Sequence, residues 1–382
     1  MKQRSLALLI SSVIALMALG LVMLGSTAFY AVGEQDDPYG TVRKQVFWIV
    51  VGLVLALIGA LTNYRIWQKY WLWILIANVI VLIGCFIPPV GVNMNGASRW
   101  FRIPGLNFLQ IQPSEFARIA SIIALASWCH IHPPRLSGFV KGFCIPMLIV
   151  AVPLGLIALE VDLGSASLLG ITALCVMLIA GVKWWQLAAT AVGGVCSLLL
   201  IIFLIPNRWA RVMIWLGLES GADMDLQQFT ARLALGTGGI TGAGLGLSIQ
   251  KMSYLSFAHT DFIYPIVGEE LGLVGTLLVV MTFLVFCISG TTIGAYAPDI
   301  FSKLLGCGLA IMISGQALIH MYVTTSLAPN KGMPMPFVSY GGSNMICCLF
   351  SVGLLAQLFF QGRRYEREHA LILSSSKETV SV

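Results

Sequence analysis

The run LALLISSVIALMALGLVMLGSTAFYAV, from Leu6 to Val32, decides the class of this chain. It carries no charged residue and exceeds the roughly 20 residues an α-helix needs to cross a hydrocarbon core. Lys2 and Arg4 precede it, but it is too long for the apolar core of about 7 to 15 residues in a cleaved signal peptide. We read it as a first membrane span. The rest of the chain agrees: 58% of its 382 residues are apolar and 10% are charged, against roughly 25% charged in soluble domains.

Working outward from this run, nine further stretches have the length and apolarity of spans. The ten cover 6–30, 46–63, 71–89, 114–130, 143–159, 164–182, 186–205, 265–288, 304–326 and 337–360. The expected fold is therefore all-α, a polytopic membrane protein with about ten transmembrane helices. An even count puts both termini on one side. With the N-terminus inside, twelve of the 22 Lys and Arg fall inside, and twelve of the 16 acids fall outside. This predicts an N-in/C-in chain. One membrane domain spans 1–362, a large extracytoplasmic loop over 206–264 separates helices 7 and 8, and a disordered cytoplasmic tail covers 363–382. A loop that long should carry helices of its own.

The net charge of +6 is scattered among loops instead of forming one basic face, which excludes nucleic acid as a partner. The nine cysteines lie in or beside apolar runs without CxxC spacing, so neither a disulfide framework nor a zinc site is indicated. Gly236 to Gly246 matches GxGxxG loosely, but no Gly-Lys-Ser/Thr follows and no βαβ pattern surrounds it. Close backbone packing, or a backbone lining a groove, is the better reading.

Polar residues gather on the predicted outer face. His259-Thr260-Asp261-Phe262-Ile263 precedes an apolar segment, with Glu269 and Glu270 eight and nine residues beyond Asp261. An ionised group at bilayer depth costs roughly 2.5 to 3.5 kcal/mol, so three carboxylates at one entry point suggest a reaction site. Gln112-Pro113-Ser114-Glu115 opens a span, and Glu115 and Arg118 share a helix face at i, i+3. Glu160, Asp162 and Gly164 form a tight corner whose acids serve either turn chemistry or a divalent cation. Lys331 to Ser343 is an irregular Pro- and Gly-rich segment offering Lys331, Ser339 and Tyr340 to an anion. His320 and Gln316, one turn apart, are expected to hydrogen-bond between helices. His130 and His132, at a cytoplasmic corner, are expected to be solvated.

Taken in order, Asn95 to Trp100, Gln112 to Glu115, Glu160 with Asp162 to Gly164, His259 to Ile263 followed by Glu269-Glu270-Leu271-Gly272, and Pro336 to Ser343 resemble one family. It is the SEDS proteins (shape, elongation, division and sporulation), the FtsW and RodA type of peptidoglycan glycosyltransferase. The resemblance reaches from the first span to Gln361, and Gln250 to Leu255 looks more like the division branch. Departures are Arg118 for Lys, Val161 for Pro, Ser165 for Thr, His320 for Asn, Asn330 for Thr and Asn344 for Ser.

The resemblance implies polymerisation of lipid II into glycan strands at the outer leaflet of the bacterial inner membrane, at the division septum. It implies Asp261 as general base, carried over from the family's His-Thr-Asp motif. It also implies a substrate site of Arg99, Trp100, Glu115, Arg118, His259, Lys331, Ser339 and Tyr340, in which Arg118, Lys331 and Arg99 hold pyrophosphate. A divalent cation (Mg2+ or Mn2+) on Glu115, Glu160 and Asp162 could share that task. The implied partners are lipid II, the growing glycan strand, a class B penicillin-binding protein and other division proteins. Two rivals remain at this point: a lipid II flippase or transporter, and a non-catalytic scaffold for a division transpeptidase.

Overall fold

The computed structural model describes residues 4–28, 39–87, 91–94, 97–102, 110–134, 137–218, 222–252 and 259–380. Asn95, Gly96 and Ser253 to Leu255, which contribute to the resemblance, lie outside them. Helices α1 (Ser5–Ala28), α2 (Gly40–Leu61), the short α3 (Tyr64–Lys69) and α4 (Trp71–Gly84) come first. Strands β1 (Gly91–Met94), β2 (Ala97–Arg102) and β3 (Gln110–Ile111) follow as an antiparallel sheet in the order β1-β2-β3. This small sheet qualifies the all-α expectation. Its strands lie in the loop ahead of the fourth predicted span, where no continuous apolar stretch drives helix formation.

The chain continues with α5 (Pro113–Ile131), α6 (Ile145–Leu159, entered by a π-helical turn at Val140–Cys144), α7 (Leu163–Ala180) and α8 (Trp184–Leu204). The long loop carries α9 (Pro206–Trp215) and α10 (Ala222–Thr237), as its length demanded. Last come α11 (Ile263–Ala295), α12 (Ile300–Thr324) and α13 (Gly342–Val380).

A helix stands at each of the ten predicted spans. Among the described residues, eight are long and apolar enough to cross a membrane. The shortfall has a physical cause. α4 has only 14 residues. α5 packs against α4, α6, α7, α12 and α13, and 15 of its 19 residues are buried. A helix sheathed by other helices has no lipid to face, so it tolerates Ser, Glu and Arg. At the other extreme, α8 turns most of its surface outward, including Val192, Leu199 and Phe203.

Two helices depart from their predicted bounds. α13 begins at Gly342 and continues to Val380, through the tail expected to be disordered. Extension from an existing helix avoids the nucleation cost, and Arg364 and Glu368 add an exposed i, i+4 pair at 3.0 Å. α11, at 33 residues, would be about 50 Å long if continuous, against a hydrocarbon core of about 30 Å. It is broken at Gly272, whose φ of 67° and ψ of −163° no helix contains.

The break is filled by the glycine-rich loop. The N–H groups of Ala243 and Gly244 donate to the carbonyls of Glu269 and Glu270, at 2.9 and 3.0 Å. In return, Leu273 and Val274 donate to the carbonyls of Gly239 and Ile240, at 2.9 and 3.2 Å. Backbone groups freed by the break thus find partners inside the protein, the condition for irregular backbone at membrane depth. The close-packing reading of Gly236 to Gly246 is the one the structure supports.

Candidate active site

The start of α5, the corner between α6 and α7, the turn before α11 and the segment between α12 and α13 meet at one end of the bundle. Asp162 is the hub. It caps α7, accepting from the Ser165 N–H at 3.3 Å, and accepts from Gln112 Nε2 at 3.2 Å and Ser114 Oγ at 3.3 Å on its other oxygen. Burial works against its charge, but Lys331, Arg99 and the Ser165 bonds outweigh that and hold its carboxyl below the usual range. Gly164 lets Lys331 pack close beside it: a Cβ there would lie 2.7 Å from Lys331 Nζ and would push that side chain aside.

Asp261 lies in the turn just before α11. The residue reaches the surface in part, but its carboxyl is crowded by protein, which raises it to about 6. Arg99 pulls in the opposite direction, and Asp162 adds to the rise. Gly332 packs directly against this carboxylate, leaving no room there for a side chain. Lys331, the next residue, is pulled down to about 7 by burial, with Asp162 opposing and Arg99, Arg208 and Arg211 reinforcing. The site therefore holds a base and a cation that both titrate near neutrality.

Supporting contacts fix these groups. Gln316 of α12 donates to the Pro334 carbonyl at 2.8 Å, and His320 Nδ1 lies 2.7 Å from the Met333 carbonyl. Both contacts anchor the segment carrying Lys331; His320 thus bonds loop backbone instead of another helix, whereas Gln316 also makes the expected interhelical bond, accepting from Arg118 of α5. Gln45 of α2 clamps the same segment, donating to the Ser339 carbonyl and accepting from the Gly341 N–H. The Tyr340 N–H donates to the His259 carbonyl at 3.0 Å, joining that segment to the turn of Asp261.

The other expected site residues fall into distinct settings. Arg99 reaches the corner and donates to the Val161 carbonyl at 2.7 Å. Trp100 is half-buried next to it on β2, opposite Val92 of β1, and the register slips at Arg99, which has no paired residue on β1. Glu115 and Arg118 form a buried ion pair, and Arg118 also donates to Gln316 Oε1 at 2.8 Å. Arg118 is only 1% exposed, so its guanidinium braces α5 against α12 beneath the site. The Ser339 hydroxyl accepts from the Met335 N–H at 2.8 Å and shapes its own turn. His132 stacks on Trp128 at 4.5 Å and is half-buried, so it is only in part the solvated corner residue expected from sequence.

Glu269 and Glu270 do not join Asp261. Glu269 accepts from the Ser248 hydroxyl, from the Ile249 N–H at 2.9 Å and from the Gln250 N–H at 3.4 Å. Glu270 Oε1 takes Lys251 Nζ and the Ser26 hydroxyl, each at 2.6 Å. The expectation of three carboxylates in one reaction site is thus corrected: two of them fasten the glycine-rich loop to α11 and α1. Removing one member of a buried ion pair strands the other's charge. Lys251→Met should therefore lower stability by about 3 to 5 kcal/mol, and Lys251→Met/Glu270→Leu should recover most of it. Thermal melts of the detergent-solubilised variants check this.

The expected cation ligands do not converge. Glu115 is committed to Arg118, and Asp162 spends its oxygens on Ser165, Gln112 and Ser114. Glu160 is pushed up to about 8 by burial and then by Asp162, with the Cys85 thiol and Arg99 opposing. No group of three metal-binding side chains occurs among the described residues. No chemical step is assigned to a metal ion.

Sequence reading missed Arg208 and Arg211 of α9. Arg208 donates to the Val161 carbonyl at 3.1 Å and Arg211 to the Asn330 carbonyl at 3.4 Å. Their i, i+3 spacing on a short helix was the available signal. Val161, where the family carries proline, has φ of 64°, a region closed to a proline ring.

A helical membrane bundle with a carboxylate-and-cation site at one end defines a polytopic integral-membrane protein built to handle a polar group at the membrane face. The chain belongs to the FtsW, RodA and SpoVE family of cell cycle proteins, whose family model matches residues 6–363. A relative from Geobacter metallireducens, named "Probable peptidoglycan glycosyltransferase FtsW", is 35% identical over 90% of this chain and 91% of its own length. The Escherichia coli protein of the same name is 31% identical over 94% and 87%. Among solved structures, a chain of a peptidoglycan synthase complex that coordinates polymerization and crosslinking superposes with a TM-score of 0.75, at 25% identity over 93% of this chain and 97% of that one. The Thermus thermophilus rod shape determining protein RodA superposes with a TM-score of 0.67, at 24% identity over 94% and 96%.

Proposed function

We propose that this protein is a peptidoglycan glycosyltransferase that polymerises lipid II at the outer leaflet of the inner membrane for septal wall synthesis. The observation that carries the reading is Asp261, a crowded carboxyl at about 6, facing the charge of Arg99 beside Asp162 and Lys331. Family membership and the names of the relatives support the reaction class.

The chemistry follows from the groups present. Asp261 takes the proton of an acceptor sugar hydroxyl as its oxygen attacks the donor's anomeric carbon. The bond from that carbon to phosphate breaks, and the electron pair leaves on the diphosphate. A base on the face opposite the leaving group inverts the configuration, as in inverting glycoside chemistry. Lys331 and Arg99 stabilise the departing charge. Glu115 and Arg118 support the site from below instead of touching the phosphates.

In the N-in/C-in arrangement expected from the sequence, this end of the bundle lies outside, where lipid II would be consumed. A class B penicillin-binding protein is the proposed partner, supported by the likeness to a chain of a complex that couples polymerization with crosslinking. A transporter would line the whole crossing with charged groups, whereas Arg99, Asp162, Arg208, Arg211, Asp261 and Lys331 gather at one end.

The test supplies fluorescent lipid II to the purified protein with its cognate transpeptidase. A ladder of glycan strands is expected. No polymer, with lipid II crossing vesicle membranes instead, would replace the reading with transport.

A further inference from the structure

Three arginines and a lysine converge on the corner between α6 and α7 from separate elements. Arg99 comes from β2, Arg208 and Arg211 from α9, and Lys331 from the segment after α12. Arg99 and Arg208 both donate to one carbonyl, that of Val161. Arg211 donates to the carbonyl of Asn330, the residue before Lys331. These acceptors are neutral, and Nε of both Arg99 and Arg211 is buried without a partner.

The acids cannot balance this charge. Among the described residues, Asp162 and Asp261 are the carboxylates facing the cluster in ionised form near pH 7, and Asp162 has already engaged Gln112, Ser114 and Ser165. Glu160, raised to about 8, is mostly neutral there. Arg208 itself is lowered to about 10, by burial and then by Arg211 and Arg99. Like charges held together in excess of their counter-charge are the mark of a site that accepts an anion, and guanidinium forks match phosphate oxygens.

We propose that Arg208 and Arg211, together with Arg99, bind the diphosphate of the donor lipid and receive it as the leaving group. The proposal rests on the glycosyltransferase reading. The donor, not the acceptor, is indicated by connectivity. The donor's reacting carbon is bonded directly to its phosphate, whereas the acceptor's hydroxyl is a disaccharide away from its own. Arg99 interacts with both Asp261 and Lys331, so this anion site adjoins the base. As the acceptor oxygen bonds to carbon, the carbon–phosphate oxygen bond breaks, its electron pair moves onto the diphosphate beneath the arginines, and the proton goes to Asp261.

The test has two arms, both on the full chain in nanodiscs. In the first, binding of undecaprenyl diphosphate is compared with that of undecaprenyl monophosphate. Wild type should prefer the diphosphate, and Arg208→Ala/Arg211→Ala should weaken diphosphate binding at least tenfold and narrow the gap. This arm needs no turnover, so it stands even if the glycosyltransferase reading fails. In the second, a lipid II analogue with its acceptor hydroxyl blocked serves only as donor, with ordinary lipid II as acceptor. KM for the blocked donor should rise at least tenfold in the double variant. Arg208→Lys/Arg211→Lys, which keeps charge but loses the forks, should fall between and covers the case in which the alanine variant does not fold. Unchanged diphosphate binding, or a rise confined to the acceptor's KM, would overturn the proposal.

Discussion

Asp261→Asn should leave a folded, membrane-inserted protein that polymerises lipid II about 10² to 10⁴ times more slowly than wild type, the range expected when a general base is removed. Asparagine keeps the shape of the side chain but cannot accept the proton. The pH profile gives an independent reading. The carboxyl titrates at about 6, so kcat/KM of wild type should climb tenfold per pH unit below that value and level off above it, as the carboxylate form takes over. Lys331 titrates at about 7 in the free enzyme, so the profile should fall again as pH rises past that point and the ammonium is lost. The residual activity of Asp261→Asn should lack the rising limb near 6. An asparagine variant that keeps this limb would assign the base to another group.

Gly242→Ala should have the second largest effect, although it removes no reactive group. Gly242 has φ of 82°, and a Cβ there would run into the Glu270 carbonyl and come within 2.7 Å of the Gly272 nitrogen. Forcing an L-residue into the left-handed region costs about 1 to 2 kcal/mol, and overpacking adds about 1 to 3 kcal/mol. The loop must then withdraw from the break in α11, leaving four backbone hydrogen bonds unmade at membrane depth. A drop in melting temperature and a large loss of polymerisation are expected together, because the half-helix beginning at Ile263 carries the turn of Asp261. Gly236→Ala is the matched control. Gly236 lies within α10 with open space where a Cβ would go, so alanine should be neutral or raise stability by about 0.5 to 1 kcal/mol. If both alanines behave alike, the loop does not brace α11.

The candidate site is partly legible in the sequence. Asp261, Arg99 and Lys331 stand in polar stretches flanked by apolar runs, and the fold supplies the electrostatic neighbourhood that couples them. The reach of Arg118 is not legible there. Its i, i+3 spacing from Glu115 is plain, but only the position of Gln316 on α12 reveals a guanidinium committed inward. Glu269 and Glu270 share apparent chemistry with Asp261 in the sequence, yet their partners Ser248, Lys251 and Ser26 lie in other segments. Arg208 and Arg211 look like two more loop cations because their targets, Val161 and Asn330, are 47 and 119 residues away along the chain.

Sequence alone establishes a polytopic helical membrane protein with its polar residues concentrated between particular spans. Apolarity and length act locally: each stretch of some 20 apolar residues favours the bilayer whatever its neighbours do. Which helix needs no lipid-facing surface, where α11 breaks and which carboxylates are committed to structural contacts are settled only by tertiary packing. Those outcomes depend on what stands across from a residue. Burial, counter-charge and hydrogen-bond partners arise when distant helix ends are packed together.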